Sequence, residues 1–389
     1  MSQAIGRRSL FGNLAMPVLR WLLNLRLFSG LGILLGGVIT LVGVSWDIQW
    51  HVFVGRDRTL TAPHIVMLSG IVIGGVLALM EVLIETNWVK RNSALKQYTT
   101  RFAGLFSSSI GSYIAGYGAL ASGLGFVLDT YWHALYGVDV AIWAPFHLMI
   151  FVGMSIMVLG SIYIIASVSR FTGRELDLRS AKIGHSGTVV AIAVFMGFVS
   201  ILVPPAIDAR GSLQIGGLLI NFYPFLEALL VSFVFVATKG VLPSRLSATL
   251  VMLVYIGEAI LFSLIVPPLT NWLLPIEGLH YRQGIGLFSA ISIIAVNWPL
   301  TPIAIAPLVD ACFVWARRLA WTERRRNLIL GVISFIACIP VFVLPARDET
   351  EILAHAGIVG VTVSLLLGIV GIVIGIRLGH YTGEVMNQK

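Results

Sequence analysis

Phe28-Ser-Gly-Leu-Gly-Ile-Leu-Leu-Gly-Gly-Val-Ile-Thr-Leu-Val-Gly-Val-Ser-Trp46 decides the class of this chain. It runs without a single charged side chain. At 1.5 Å per residue, about 20 such residues in a helix cross a hydrocarbon core of ~30 Å. Similar blocks recur to the C-terminus. Hydrophobic residues make up 57% of the sequence and charged residues 11%, with a mean hydropathy of +0.92. A soluble domain would carry roughly a quarter charged residues. No barrel-like alternation of period two is visible, so the spans are expected to be helices, which satisfy their own backbone groups in lipid.

Working outward, ten spans are expected at about 28–50, 63–85, 108–132, 144–168, 187–207, 216–238, 246–267, 284–314, 328–345 and 355–376. The expected fold is an all-α polytopic membrane helix bundle of about ten transmembrane helices. It divides into a cytoplasmic N-terminal segment (1–27), a four-helix region (28–168), a second bundle of about six helices (187–376) and a cytoplasmic tail (377–389). Residues 28–46 are too long for a signal-peptide core and lack a cleavage site, so the first span is read as retained. Arg7-Arg8 is read as a cytoplasmic anchor in preference to a twin-arginine signal.

The net charge of +8 and pI near 9.7 would suit nucleic acid, but the charges are sorted by topology. With the N-terminus inside, 21 of the 26 Lys and Arg residues fall on inner segments. Arg56, Arg58, Arg210, Arg282 and Arg347 are left outside. The positive-inside rule then gives an N-in, C-in, multi-pass protein of the inner (plasma) membrane, whose partner is the bilayer and not nucleic acid. Histidines show the opposite bias: His51, His64, His133, His147, His280 and His355 lie at outer ends of spans, and only His185 and His380 at inner ones. Cys312 and Cys338 sit in apolar segments, which argues against a disulfide framework.

Two segments superimpose. Asp47-Ile-Gln-Trp50-His51-Val-Phe-Val-Gly55-Arg56-Asp57 leads to Thr61-Ala62-Pro63-His64. Asp129-Thr-Tyr-Trp132-His133-Ala-Leu-Tyr-Gly137-Val-Asp139 leads to Trp143-Ala144-Pro145-Phe146-His147. Only the last histidine slips by one residue, and each copy falls at the outer turn of a helical hairpin, as expected of a duplicated unit. Asp47 and His51 are four apart and share a helix face. Pro63 suits the first turn of the returning helix, which sets His64 opposite them. A carboxylate and two imidazoles then converge in a three-ligand metal site with positions left open, and Asp129, His133 and His147 repeat it. Ligand types alone leave zinc, iron or copper open. The plainer alternative is an interfacial cap, with Trp50 and Trp132 in an aromatic belt and the Asp and His residues bonded across a turn.

At these residues the chain resembles the membrane-embedded C subunit of particulate methane monooxygenase and ammonia monooxygenase, over about residues 28–168. The family's Asp-x-x-Trp-His stretch, Arg-Asp, Thr-Pro and His correspond to Asp47, Trp50, His51, Arg56, Asp57, Thr61, Pro63 and His64, with the proline shifted by one. Its Asn-x-x-x-His and Ala-Pro-x-His stretches correspond to Asp129, His133, Ala144, Pro145 and His147, with Asp129 in place of Asn. The resemblance implies copper as cofactor. Its metal ligands would be Asp47, His51, His64, Asp129, His133 and His147, and the catalytic set Asp129, His133 and His147. Residues 187–389 have no counterpart in that subunit, although Pro302–Asp310 leading to Arg317 bears some resemblance to the A subunit of the same complexes. No His-x-His pair is present, so the copper sites of the family's B subunit are absent and an external electron donor is expected. Other membrane subunits or further copies of the chain are possible partners.

The expected function is that of a copper-dependent membrane monooxygenase, or its metal-bearing subunit, acting on a small apolar substrate. The alternatives are a non-catalytic copper-binding or copper-handling membrane protein and a haem-binding electron carrier. Glu227, Glu258 and Asp310 lie in apolar spans and are candidates for a proton or ion path or for helix–helix hydrogen bonds. Asn221, Tyr223 and Asn297 are candidates for a polar pocket. His280 and His355 could approach the metal from the second half, and Asp57 and Asp139 suit partners of the ligands. Glycines of Gly30–Gly37 are expected to allow close helix packing.

Overall fold

A computed structural model describes residues 15–55, 60–137, 143–175, 178–203, 212–242, 244–282, 301–339 and 350–388. Helix dominates. In chain order the elements are α1 (Ala15–Phe53), α2 (Ala62–Arg91), a 3-10 turn (Ser93–Tyr98), β1 (Thr100–Phe102), β2 (Phe106–Ser108), α3 (Ile110–Tyr136), α4 (Pro145–Glu175) and α5 (Leu178–Ser200). Then follow β3 (Ser212–Ile215), β4 (Leu218–Asn221), α6 (Tyr223–Val241), α7 (Ser247–Ile276), α8 (Thr301–Arg318), α9 (Glu323–Phe335) and α10 (Thr350–Gln388). Among the described residues, α1 to α7 and α10 are each long and apolar enough to cross a bilayer. The chain thus has the build of a helical membrane bundle. The eighth and ninth expected spans fall partly outside the described residues. Their described parts are α8 and α9, and α9 has only 13 residues and opens on Glu-Arg-Arg-Arg.

Two features depart from the expected spans. The first helix begins at Ala15 rather than near 28, because Arg26 is buried inside the bundle instead of anchoring its aqueous edge. Glu85 of α2 accepts from the guanidinium at 2.6 and 3.0 Å, which lets the charge enter. The sixth span begins at Tyr223, after a β-hairpin over residues that were expected to be helical. Gly216 and Gly217 both take positive φ, +55° and +83°, at its two-residue turn. A Gly-Gly pair between apolar runs is the signature of such a turn.

Helices α1 to α4 close into a ring: α1 packs on α2 and α4, α3 on α2 and α4. Helix α5 lies on α4 and α1, α7 on α5 and α1, and α10 pairs with α6. Small residues permit the tight crossings expected where lipid gives no hydrophobic drive. A Cβ on Gly36 would meet the Gly70 carbonyl oxygen at 2.7 Å, and one on Gly118 would meet the Met157 backbone nitrogen at 2.3 Å. Gly123, on the same helix as Gly118, has nothing within 4 Å. Gly118→Val is therefore expected to separate α3 from α4, at ~3 kcal/mol or more since backbone cannot yield. Gly123→Val should be tolerated. The fraction of each variant that elutes as a folded monodisperse species after detergent extraction checks this, and equal yields would contradict the packing.

Candidate metal centre

The first site stands where α1 ends and α2 begins. Helix α1 closes on Gly55, whose φ of +74° suits a residue without a Cβ. Thr61, in extended conformation, and Pro63 start α2. This hairpin brings His64 over the face carrying Asp47 and His51. His64 Nε2 is 3.0 Å from Asp47 Oδ1, and His51 Nε2 is 3.5 Å from Asp47 Oδ2. The imidazole centroids are 6.1 Å apart.

The second site repeats this at the α3–α4 hairpin. Gly137, with φ +85°, ends α3. His133 Nε2 and His147 Nε2 lie 3.2 and 3.3 Å from Asp129 Oδ2, and the rings are 5.6 Å apart. The one-residue slip of His147 costs nothing in convergence. Phe126, one turn before Asp129, meets the edge of His64 at 5.9 Å and so joins the two hairpins at this end of the ring.

In each set the ligand atoms all lie within 4.8 Å of one another. Metal–nitrogen and metal–oxygen bonds of about 2.0–2.1 Å give ligand–ligand edges of roughly 2.9 Å at right angles and 3.3 Å in a tetrahedron. The four carboxylate–imidazole separations, 3.0 to 3.5 Å, fall in or close to that range. They would also suit hydrogen bonds, so the protons decide. His133 Nδ1 is 3.1 Å from the Gly137 carbonyl oxygen, which can only accept, so Nδ1 carries the hydrogen. The neutral ring then presents the Nε2 lone pair to a carboxylate, an arrangement stable only with a second proton or a metal ion between them. A carbonyl that fixes the tautomer in this way is a usual outer partner of a metal-bound histidine. Further, Asp47 Oδ1 and Asp129 Oδ1 are buried and accept no hydrogen bond of normal geometry among the described residues. The donor sets fit a metal ion.

The aromatic-belt alternative fares less well at the first copy. Trp50 is 2% exposed and belongs to the core, while Trp132 is half-buried and packs on Tyr136 and Phe146. Nor are the two copies held alike. Gln49, between Asp47 and His51, accepts a buried hydrogen bond from Thr270 of α7 at 2.8 Å. Just beyond α7, the Arg282 backbone nitrogen donates to Phe53 O at 2.9 Å, and its guanidinium donates to Gly55 O at 3.1 Å. The residue equivalent to Gln49 is Tyr131, which is 63% exposed.

No family model, curated protein or solved structure matches this chain. What the site can do therefore rests on its own chemistry.

The remaining candidates resolve differently. Arg56, Asp57, Asp139 and Asn297 lie outside the described residues, as does the side chain of His355. His280 is exposed and belongs to neither metal set. Asp310 is structural. It accepts from Lys239 Nζ at 2.7 Å and from Ala248 N, Thr249 N and Thr249 Oγ1 at 2.8 to 3.2 Å, which caps the start of α7. Asn221 accepts from Tyr223 N and donates to Ser212, joining the β-hairpin to α6. Glu227 is buried, and both Glu258 oxygens are buried without a hydrogen-bond partner among the described residues. Cys312 and Cys338 are free thiols. Sequence reasoning passed over Arg26, Glu81 and Glu85. The signal was present: Glu81 and Glu85 are two carboxylates at i, i+4 inside an apolar run.

Proposed function

We propose that this chain is a multi-pass inner-membrane protein, N-in and C-in with about ten spans, whose first four helices hold two copper sites. In this reading it is a monooxygenase-type enzyme, or the metal-bearing subunit of one, acting on a small apolar substrate drawn from the bilayer. The observation that supports it is the duplicated convergence of one carboxylate oxygen and two Nε2 atoms, with the His133 tautomer fixed by Gly137 O. Asp47, His51 and His64 would hold one ion, and Asp129, His133 and His147 the other. Three protein ligands leave coordination positions free. Copper bound there would supply one-electron chemistry towards dioxygen, with electrons from an external donor.

The residues themselves do the rest. Each aspartate offsets part of the ion's charge, and the i, i+4 spacing keeps one histidine in register with it. The second helix brings the other histidine across the turn, and Phe126 walls the space between the sites. Ligand side chains are only 13–18% exposed, which restricts water at the metal. The same low exposure favours the second reading, a protein that holds or hands over copper without turnover.

Membranes containing the overexpressed protein, supplied with copper and a reductant, separate the two. Oxygen uptake that depends on a short alkane, alkene or ammonia, and that is lost in His133→Ala with normal expression, supports the enzyme. Full copper loading with no substrate-dependent uptake leaves the binding protein.

A further inference from the structure

At the end of the α1–α4 ring opposite the metal ligands lies a second polar centre. Glu81 and Glu85 stand one turn apart on α2, both fully buried, and Arg26 of α1 is 1% exposed beside them. Arg26 commits its donors to Glu85 and to the Tyr98 carbonyl, the latter at 2.8 Å. Glu81 is met by hydroxyls alone: Ser109 Oγ at 2.7 Å from Oε1, and Ser29 Oγ in close contact with Oε2. The cluster therefore contains two carboxylates and one guanidinium. Fully ionised, it would bury a net negative charge.

The magnitudes decide what happens to that charge. An unpaired ion in a protein interior costs several kcal/mol even after relaxation. The nearest compensation is the positive end of α3, where Ser109 caps the helix and takes the Ser112 N–H. A helix terminus contributes about 0.3–1 kcal/mol, and up to ~2 kcal/mol when partly buried. That is too little. The other titratable groups facing the pair are Tyr113 on α3, whose hydroxyl donates to Thr100 O, and Tyr163 on α4. Neither brings a positive charge. A proton on the carboxylate pair removes the imbalance.

A path for that proton is present. A cavity of about 60 Å³ with a mixed lining touches the cluster at Arg26 and at Ser109, the hydroxyl bonded to Glu81, and is bounded also by Gln97, Tyr98, Tyr163 and Met386. At the ~30 Å³ a water occupies in the liquid, it has room for about two. We propose that the Arg26–Glu85–Glu81 cluster is a proton-binding site, loaded through this cavity, with Glu81 as the carrier. Intramembrane carboxylates with a polar access route are a usual form of such sites. The proposal stands independently of any metal at the other end of the ring.

Infrared difference spectroscopy of the full chain in lipid tests it. The wild-type minus Glu81→Gln spectrum should show the C=O stretch of one protonated carboxyl, shifting to lower frequency in D2O. Glu85→Gln should lose the same band, because Arg26 is then free to neutralise Glu81 as an ion pair. This second loss is the signature of one proton shared under a charge balance, which a purely structural network would not give. Bands of ionised carboxylate in the Glu81→Gln difference would overturn the proposal. So would loss of the protonated band on adding sodium, which would make this a metal-cation site. Both substitutions are near-isosteric, and if one fails to fold the other still decides.

Discussion

Protein purified with copper should hold two ions per chain, and one after both histidines of either hairpin are replaced. His51→Ala with His64→Ala should empty the first site and leave the second, and His133→Ala with His147→Ala the reverse. The expected effect is large, because two of three protein ligands are removed. Disturbing even an outer partner of a ligand typically lowers affinity about 10- to 100-fold. Adding Asp47→Ala to the first pair should change little more, since ligands that act as a unit are lost as a unit. Metal analysis with electron paramagnetic resonance reads both stoichiometry and site identity. Two ions retained in the quadruple histidine variant would show that these residues are not the ligands.

Asp310→Ala should be among the most damaging single changes outside the first four helices. It strips the start of α7 of its cap and leaves the Lys239 ammonium, 3% exposed, without its carboxylate. Removing one partner of a buried pair costs about 3–5 kcal/mol, and losing a cap ~1 kcal/mol. Lys239 keeps its bonds to the Ser244 and Arg245 carbonyls, which places the expected loss at the lower end. Asp310→Asn keeps an acceptor for α7 and should fall in between. Asp310→Leu combined with Lys239→Met should recover part of the loss, because no orphaned charge remains. Thermal unfolding in detergent orders the four proteins, and an unaltered midpoint for Asp310→Ala would refute the structural role. Of the two roles that burial in an apolar segment suggested for Asp310, these contacts are the helix–helix hydrogen bonds.

The helical class and the meeting of the two Asp/His sets were legible for one reason: both are written in local periodicity. Apolar blocks of span length and an Asp–His pair at i, i+4 need no knowledge of tertiary contacts, and a second copy raised the motif above chance. Features that depend on a distant partner were not legible. Arg26 fell within the expected cytoplasmic segment 1–27 because its counter-ion, Glu85, is far off in sequence. The Thr270 hydroxyl that holds Gln49 is more distant still. The start of the sixth span was misplaced because Leu218–Asn221 is as apolar as a helix, and only Gly216-Gly217 betrays the hairpin. Asp310 could be seen as buried but not as a cap, since its partners lie on two other helices.

The unequal anchoring of the two hairpins has a mechanical consequence. The turn bearing Asp47 and His51 is fastened to α7 through Gln49 and again past its end through Arg282, so any displacement of α7 is passed directly to the first ligand set. The corresponding turn, with Tyr131 facing outward, is tied instead past the end of α5, where the Trp143 indole nitrogen donates to Leu202 O at 3.2 Å. Duplication has thus produced two sites geared to different helices, one that moves with α7 and one that moves with the end of α5.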